Sequence, residues 1–154
     1  MDIKENGSLP SMDADTVKLY RTVYKTSQLG MGSAGKLLEH SDCDKLNEIL
    51  KGQRRGYTAI LRDAANALAL CGIRPIGLGA SEKIKTCVLI RCAALKGCDS
   101  ASLAEYMITC TTFLSLKGAK QKSSCFMADD KSKALMERLL RFEDANCRRL
   151  REFL

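Results

Sequence analysis

The chain is poor in the residues that build sheets, tight turns and aromatic cores. Among its 154 residues there is no Trp, only two Pro, and an aromatic content of 5%. Leu, Ala, Lys, Arg and Glu are abundant instead, which favours helix over sheet. Because a chain of this length can bury a core without disulfides or metal ions, we expect a single all-α domain.

Long apolar runs are also absent. No stretch approaches the roughly 18 consecutive apolar residues of a membrane-spanning helix, which argues against a membrane protein. Residues 1–13 carry Gly, Ser, Pro and charges instead of the apolar segment of a signal peptide, and we expect a flexible tail there. A cytoplasmic location follows as the expectation, with the eight cysteines reduced.

Metal-binding and nucleic-acid-binding patterns are missing as well. His40 is the only histidine, and no Cys-x-x-Cys occurs, so the paired ligand spacings of a zinc site are not present. The net charge is +7, but basic and acidic residues nearly balance in the Arg-rich C-terminal end. Since no basic cluster with interleaved aromatics is visible, the sequence argues against a nucleic-acid partner and leaves weak anion binding as an alternative.

The chain does contain a strong helical periodicity. The apolar spacing predicts long helices at about residues 15–39, 44–70, 100–118 and 129–154. The short link at residues 40–43 predicts that the first two helices are antiparallel neighbours. Gly30, Gly32 and Gly35 in the first helix predict either a close approach of a neighbouring helix or a local kink.

The two halves of the chain repeat one pattern, in which the core stripe advances by four and then three residues. In the first hairpin the predicted stripe consists of Tyr20, Tyr24, Ser27, Met31 and Ala34, and of Leu50, Arg54, Tyr57 and Leu61. In the second hairpin it consists of Leu103, Met107, Cys110 and Leu114, and of Leu139, Glu143, Asn146 and Leu150. We predict one domain over residues 14–154, made of a hairpin at 14–71, a crossover at 72–99 with an extra short helix at about 81–96, and a second hairpin at 100–154. Polar residues interrupt the stripe in mid-helix, at a level that we call the waist. The candidate waist residues are Ser27, Arg54, Tyr57, Cys110, Glu143 and Asn146.

A doubled hairpin with a polar waist and one crossover resembles the ferritin-like superfamily of four-helix bundles. That resemblance implies two helices that each give a Glu and two that each give Glu-x-x-His to a pair of metal ions. In this chain, Glu143-x-x-Asn146 stands at one Glu-x-x-His position and Arg54-x-x-Tyr57 at the other.

The single-Glu positions of the other two helices are occupied by Ser27 or Gln28 and by Cys110 or Thr111. The pattern therefore retains one carboxylate of four and no histidine. We expect no cofactor, and iron or manganese only if Glu143 still contributes to a degenerate site.

Three interpretations of the waist are open. A buried Glu143 could pair with Arg54, because a lone buried carboxylate is costly. Alternatively, Arg54 could extend into solvent while Glu143 lies at the edge of the bundle. In the third interpretation, Glu143, Tyr57 and Cys110 line a pocket for a small molecule or a metal.

These patterns lead to three hypotheses about function. The first is a non-catalytic ferritin-like bundle that acts as an oligomerisation or protein-interaction module, as a homo-oligomer or with a protein partner. The second is a degenerate ferritin-type metal-binding or oxidoreductase protein that uses Glu143 and Tyr57. The third is a weak binder of anions or nucleic acid. Because no catalytic constellation is evident, we expect a protein that is not an enzyme.

Overall fold

The computed structural model describes residues 13–79 and 99–154, and this part of the chain contains four α-helices and no strand. The all-α, four-helix prediction is therefore confirmed. None of these helices combines the length and the apolar character needed to cross a lipid bilayer. The helices are α1 (Ala14–Leu38), α2 (Asp44–Leu70), α3 (Ser100–Ser124) and α4 (Asp130–Leu150), and a 3₁₀ turn (Arg151–Phe153) follows α4.

Two predicted features lie outside the described residues. These are residues 1–12 of the N-terminal tail and the extra short helix at about residues 81–96.

Short acidic side chains set the beginnings of three helices. Asp13, Asp99 and Asp129 precede α1, α3 and α4, and each side chain accepts a hydrogen bond from a backbone N–H in the first turn. This satisfies donors that a helix start otherwise leaves unpaired. α2 ends at Gly72, whose φ of +70° is a left-handed conformation that glycine adopts without strain.

The predicted end of the third helix at Gly118 is wrong. α3 continues to Ser124, so the loop that joins it to α4 is much shorter than the ten residues expected. Gly118 is a site of close packing, because a Cβ there would lie 3.2 Å from both Leu140 Cδ2 and Met136 Sδ of α4. The Lys-Gln-Lys run that follows favours continued helix.

Contacts at one end of the bundle, which we call the loop end, fix two helix directions. The backbone N–H of Met127 donates to the carboxylate of Asp15 at 3.1 Å, and that of Asp129 donates to the hydroxyl of Thr16 at 2.8 Å. The loop between α3 and α4 therefore lies on the start of α1. It follows that α1 and α4 run parallel and that α3 runs against both.

Contacts at the opposite end fix the direction of α2. Lys45, in the first turn of α2, pairs with Glu152 beyond the end of α4 at 3.2 Å. The 3₁₀ turn that follows α4 packs on α3, and α3 runs against α4, so α3 also begins at this end and runs parallel to α2. Because α2 is about 40 Å long, its last residue and the first residue of α3 lie at opposite ends of the bundle.

The described part of the connection between α2 and α3 starts back along α1. The N–H of Leu78 donates to Gln28 Oε1 at 2.9 Å, and Gln28 lies about halfway along α1. α1 packs most extensively on α2 and also contacts α3 and α4, so it touches every other helix of the bundle.

The hydrophobic core lies between the helices. On α1, the residues that point into the core differ in part from those predicted. Tyr20, Ser27 and Ala34 are buried as predicted, but Tyr24 and Met31 are only partly buried. Their places in the core are taken by neighbours one position earlier in the sequence. The buried residues of α1 are Thr16, Leu19, Tyr20, Val23, Thr26, Ser27, Gly30, Ser33, Ala34 and Leu37.

At Gly30 the ring of Tyr57 from α2 packs directly against the backbone of α1. A Cβ atom at Gly30 would overlap the tip of the Tyr57 ring, whereas one at Gly32 would meet nothing within 4 Å. In the same way, a Cβ atom at Gly56 of α2 would overlap the ring of Phe142. The glycines of α1 thus reflect close helix packing at one position, which was one of the two alternatives predicted.

We predict that Gly30→Ala destabilises the protein, because the new methyl group overlaps the Tyr57 ring. Overpacking of this kind costs about 1–3 kcal/mol. Gly32→Ala is the matched control and should be neutral or stabilising by up to about 1 kcal/mol, since Ala favours helix. Urea unfolding followed by circular dichroism measures both, and equal effects of the two substitutions would contradict the packing described.

Candidate functional site

All four helices meet at a buried carboxyl group in the middle of the bundle. Glu143 of α4 is 0% exposed. The hydroxyl of Ser115 in α3 donates to Glu143 Oε2 at 2.7 Å, and the hydroxyl of Tyr57 in α2 donates to Oε1 at 3.4 Å. Gly30 of α1 packs against the tip of the Tyr57 ring. We call these four residues the waist cluster.

Aromatic rings fill the space around the carboxyl group. The rings of Tyr57 and Phe142 meet edge to face, with centroids 5.0 Å apart and planes at 88°. Tyr57 is among the largest side chains that are fully buried, and glycine at positions 30 and 56 makes room for the two rings. Protein atoms therefore occupy the centre of the bundle, and this packing holds the Tyr57 hydroxyl toward Glu143.

Burial controls the charge of the waist cluster. It raises the pKa of Glu143 from 4.5 to about 7, although the hydrogen bonds from Ser115 and Tyr57 lower the pKa in part. Burial also raises the pKa of Tyr57 well above its ordinary value, and the neighbouring carboxylate raises it further. Near neutral pH, Glu143 thus exchanges between a neutral acid and an anion, while Tyr57 remains a donor.

The proposed pairing of Arg54 with Glu143 is wrong. Arg54 is exposed on the outside of α2, where its side chain lies beside Gly35 of α1. The buried residue at this level of α2 is Gln53, which is 1% exposed. Both positions follow Leu50 at helical spacing, and the amide enters the core because burying a guanidinium costs more.

The other predicted waist residues divide into two groups. Ser27 and Asn146 are buried in the core, as the spacing predicts. Cys110 is only partly buried, while the adjacent Thr111 is fully buried in its place. Burial raises the pKa of the Cys110 thiol, which therefore stays protonated and is a poor nucleophile.

Sequence reasoning missed two polar residues at the level of the waist, Gln53 and Ser115. Each stands one position away from a residue that the predicted stripe contained. Thr111 and Ser115 are four residues apart on α3, so the two hydroxyls lie on one helix face. That spacing, together with the position of Glu143 on the neighbouring helix, is the signal that could have identified Ser115 as its partner.

The waist cluster does not fit a di-iron or di-manganese centre. Among residues 13–79 and 99–154, no group of three or more His, Cys, Asp or Glu side chains is placed to hold a metal ion. Both oxygens of Glu143 are engaged by hydroxyl groups, and the Tyr57 ring fills the space between the helices. One carboxyl with two hydroxyl partners suits proton binding rather than a pair of divalent cations.

No protein-family model, curated protein or solved structure matches this chain.

We predict that the waist cluster makes stability depend on pH. The pKa of Glu143 is higher in the folded than in the unfolded protein, so the folded protein binds this proton more tightly. The stability that the protonated carboxyl contributes is therefore fully present below about pH 4.5 and is lost as pH rises through 7. A shift of this size corresponds to about 3 kcal/mol. Glu143→Gln keeps the shape but cannot ionise, and should remove that part of the pH dependence.

Urea unfolding at intervals between pH 4.5 and 8 measures this effect. Glu105→Gln, at an exposed position of α3, is the control for the loss of one carboxylate. The explanation is contradicted if the difference in unfolding free energy between wild type and Glu143→Gln stays constant across this range.

Proposed function

We propose that this chain is a non-catalytic four-helix bundle with ferritin-like connectivity, and that it acts through its surface by associating with a second copy of itself. The polar waist is part of the core in this proposal. The bundle is then a rigid scaffold that presents apolar side chains outward, and its activity is binding.

The helix directions support the ferritin-like part of the proposal. α2 and α3 run parallel, and the chain leaves α2 at the loop end and enters α3 at the opposite end. A bundle with one long crossover between its second and third helices has this arrangement, whereas an up-down-up-down bundle makes these helices antiparallel.

The metal-dependent alternative has less support. It requires Glu143 and Tyr57 to face a metal ion, but these two side chains face each other and the ring of Tyr57 packs against α1. Of the family's four expected carboxylates, the described waist contains only Glu143. A site with a single carboxylate and no imidazole binds iron or manganese poorly.

Apolar residues on the outside of α3 carry the proposal. Phe113 and Leu116 lie one turn apart on this helix and are 66% and 59% exposed. An isolated exposed apolar residue is ordinary, but two large ones on the same helix face form a patch of the kind that mediates association. The adjacent Lys117 and Lys120 are exposed and would provide a polar rim.

We predict that the double substitution Phe113→Ser and Leu116→Ser weakens self-association at least about tenfold, because the central contacts of the interface lose their apolar area. Sedimentation equilibrium of the purified chain over a range of concentrations measures the dissociation constant. The wild-type protein should sediment as a dimer or larger species, and the variant should shift toward monomer.

Leu154→Ser is the matched control, because Leu154 is equally exposed, at 69%, and lies beyond α4 rather than on α3. It should leave the dissociation constant unchanged. A wild-type protein that is monomeric at every concentration would contradict the proposal. Equal weakening by the control would also contradict it, because the contact would then not be specific to α3.

A further inference from the structure

A groove on the outside of α2 is lined by several basic side chains, although basic and acidic residues are interspersed in the sequence of this helix. It has a volume of about 400 Å³ and lies against the end of α1, where Leu38 forms one wall. Ala59 is the other apolar residue of its lining. The charged residues along it, which we call the arginine groove, are Lys51, Arg54, Arg55 and Arg62.

The guanidinium groups in this groove have no acidic partner among the described residues. Lys51 pairs with Glu48 at 3.0 Å, but within residues 13–79 and 99–154 no carboxylate lies within ion-pair distance of Arg54, Arg55 or Arg62. Asp63, which follows Arg62, turns toward α4 and pairs with Arg138 there.

The cluster follows from helical geometry. Positions 51, 55, 58 and 62 recur every three or four residues, position 54 follows 51 by three, and all five lie on one face of α2. Like charges on one face repel each other, so a row of unpaired cations costs stability unless a counter-charge is present. A bound anion would remove this repulsion.

The spacing of the cations indicates the shape of that anion. Arg54 and Arg55 lie at one part of the groove, and Arg62 follows about 10 Å further along the helix axis. Side chains of this length can converge on a ligand a few ångströms long from both directions. Guanidinium groups bind phosphate oxygens through two parallel hydrogen bonds, a geometry that lysine cannot provide.

From these observations we infer that the arginine groove binds a small, elongated polyphosphate, with Arg54 and Arg55 holding one end and Arg62 the other. Its volume is within the range of small-ligand pockets. This function is separate from the self-association proposed above, because Phe113 and Leu116 lie on α3, which is not part of the groove.

A small ligand fits the groove better than a nucleic acid does. Recognition of single strands uses aromatic side chains on which bases stack, and the described lining residues include none. The groove is also confined to one stretch of α2, whereas a nucleic-acid backbone needs a longer basic track. We therefore use inorganic tripolyphosphate as the probe.

Isothermal titration calorimetry with tripolyphosphate and with inorganic phosphate tests the inference on the full chain. Tripolyphosphate should bind at least about tenfold more tightly, because only the longer anion reaches both ends of the groove. Arg54→Gln and Arg62→Gln should each weaken tripolyphosphate binding about tenfold, and affinity should fall as salt rises. Exposed substitutions of this kind leave folding nearly unchanged, which circular dichroism checks.

Two further arginine variants provide matched controls. Arg149→Gln removes an exposed arginine from α4. Arg21→Gln removes one from a second basic groove, which lies between α1 and α3 and is lined by Lys18, Arg21, Lys25 and Lys117. Both should change the affinity less than about twofold, since surface charges beyond a Debye length are largely screened.

Several outcomes would overturn the inference. One is the absence of tripolyphosphate binding at low salt. Another is an equal loss of affinity in all four variants, which would mean that net charge alone attracts the anion. A loss confined to Arg21→Gln would place the ligand in the other groove. A single-stranded oligonucleotide that displaces tripolyphosphate when present at a lower concentration of phosphate groups than tripolyphosphate would identify nucleic acid as the ligand.

Discussion

The hydrogen-bonded carboxyl of Glu143 is the interaction on which the centre of the bundle depends. A fully buried acid needs donors close by, and it obtains them from Ser115 on α3 and Tyr57 on α2. Placing the Tyr57 hydroxyl there brings the ring against α1, where only glycine leaves enough space. One polar group in α4 thus determines residue choices in each of the other three helices.

The same arrangement explains why the cations of α2 lie outside. If Glu143 were permanently ionised, the core would need a buried positive charge, for which the sequence offered Arg54. Because burial raises the pKa of Glu143 to about 7, hydroxyl groups suffice. Arg54 is then free to join Arg55 and Arg62 on the surface, where the three guanidiniums form the arginine groove.

The sequence was sufficient to predict most of the helical framework. The bounds of α2 match the prediction, since Asp44 starts and Gly72 ends an uninterrupted amphipathic pattern. The four–three spacing also put Tyr57 and Glu143 at one level of the core. The ferritin-like connectivity remains a prediction, which the parallel directions of α2 and α3 support.

Other details could not be predicted, because they depend on energies that spacing does not encode. After Leu50, positions 53 and 54 face the core equally well, and the choice of Gln53 reflects the cost of burying a guanidinium. Gly118 indicates a helix end in the sequence alone, but α4 packs on it closely. Ser115 became recognisable as a partner only when α3 and α4 were placed side by side.

The most direct test of this account is the titration of Glu143 itself. Side-chain carboxyl carbons of glutamate can be followed by NMR between pH 3 and 9 in protein labelled with ¹³C at glutamate, with Glu143→Gln to assign the resonance. We expect one glutamate to titrate near pH 7, in contrast to the ordinary value of 4.5. If Glu143 titrates close to 4.5, the carboxylate is fully charged at neutral pH, and the account of a waist that exchanges between a neutral acid and an anion is contradicted.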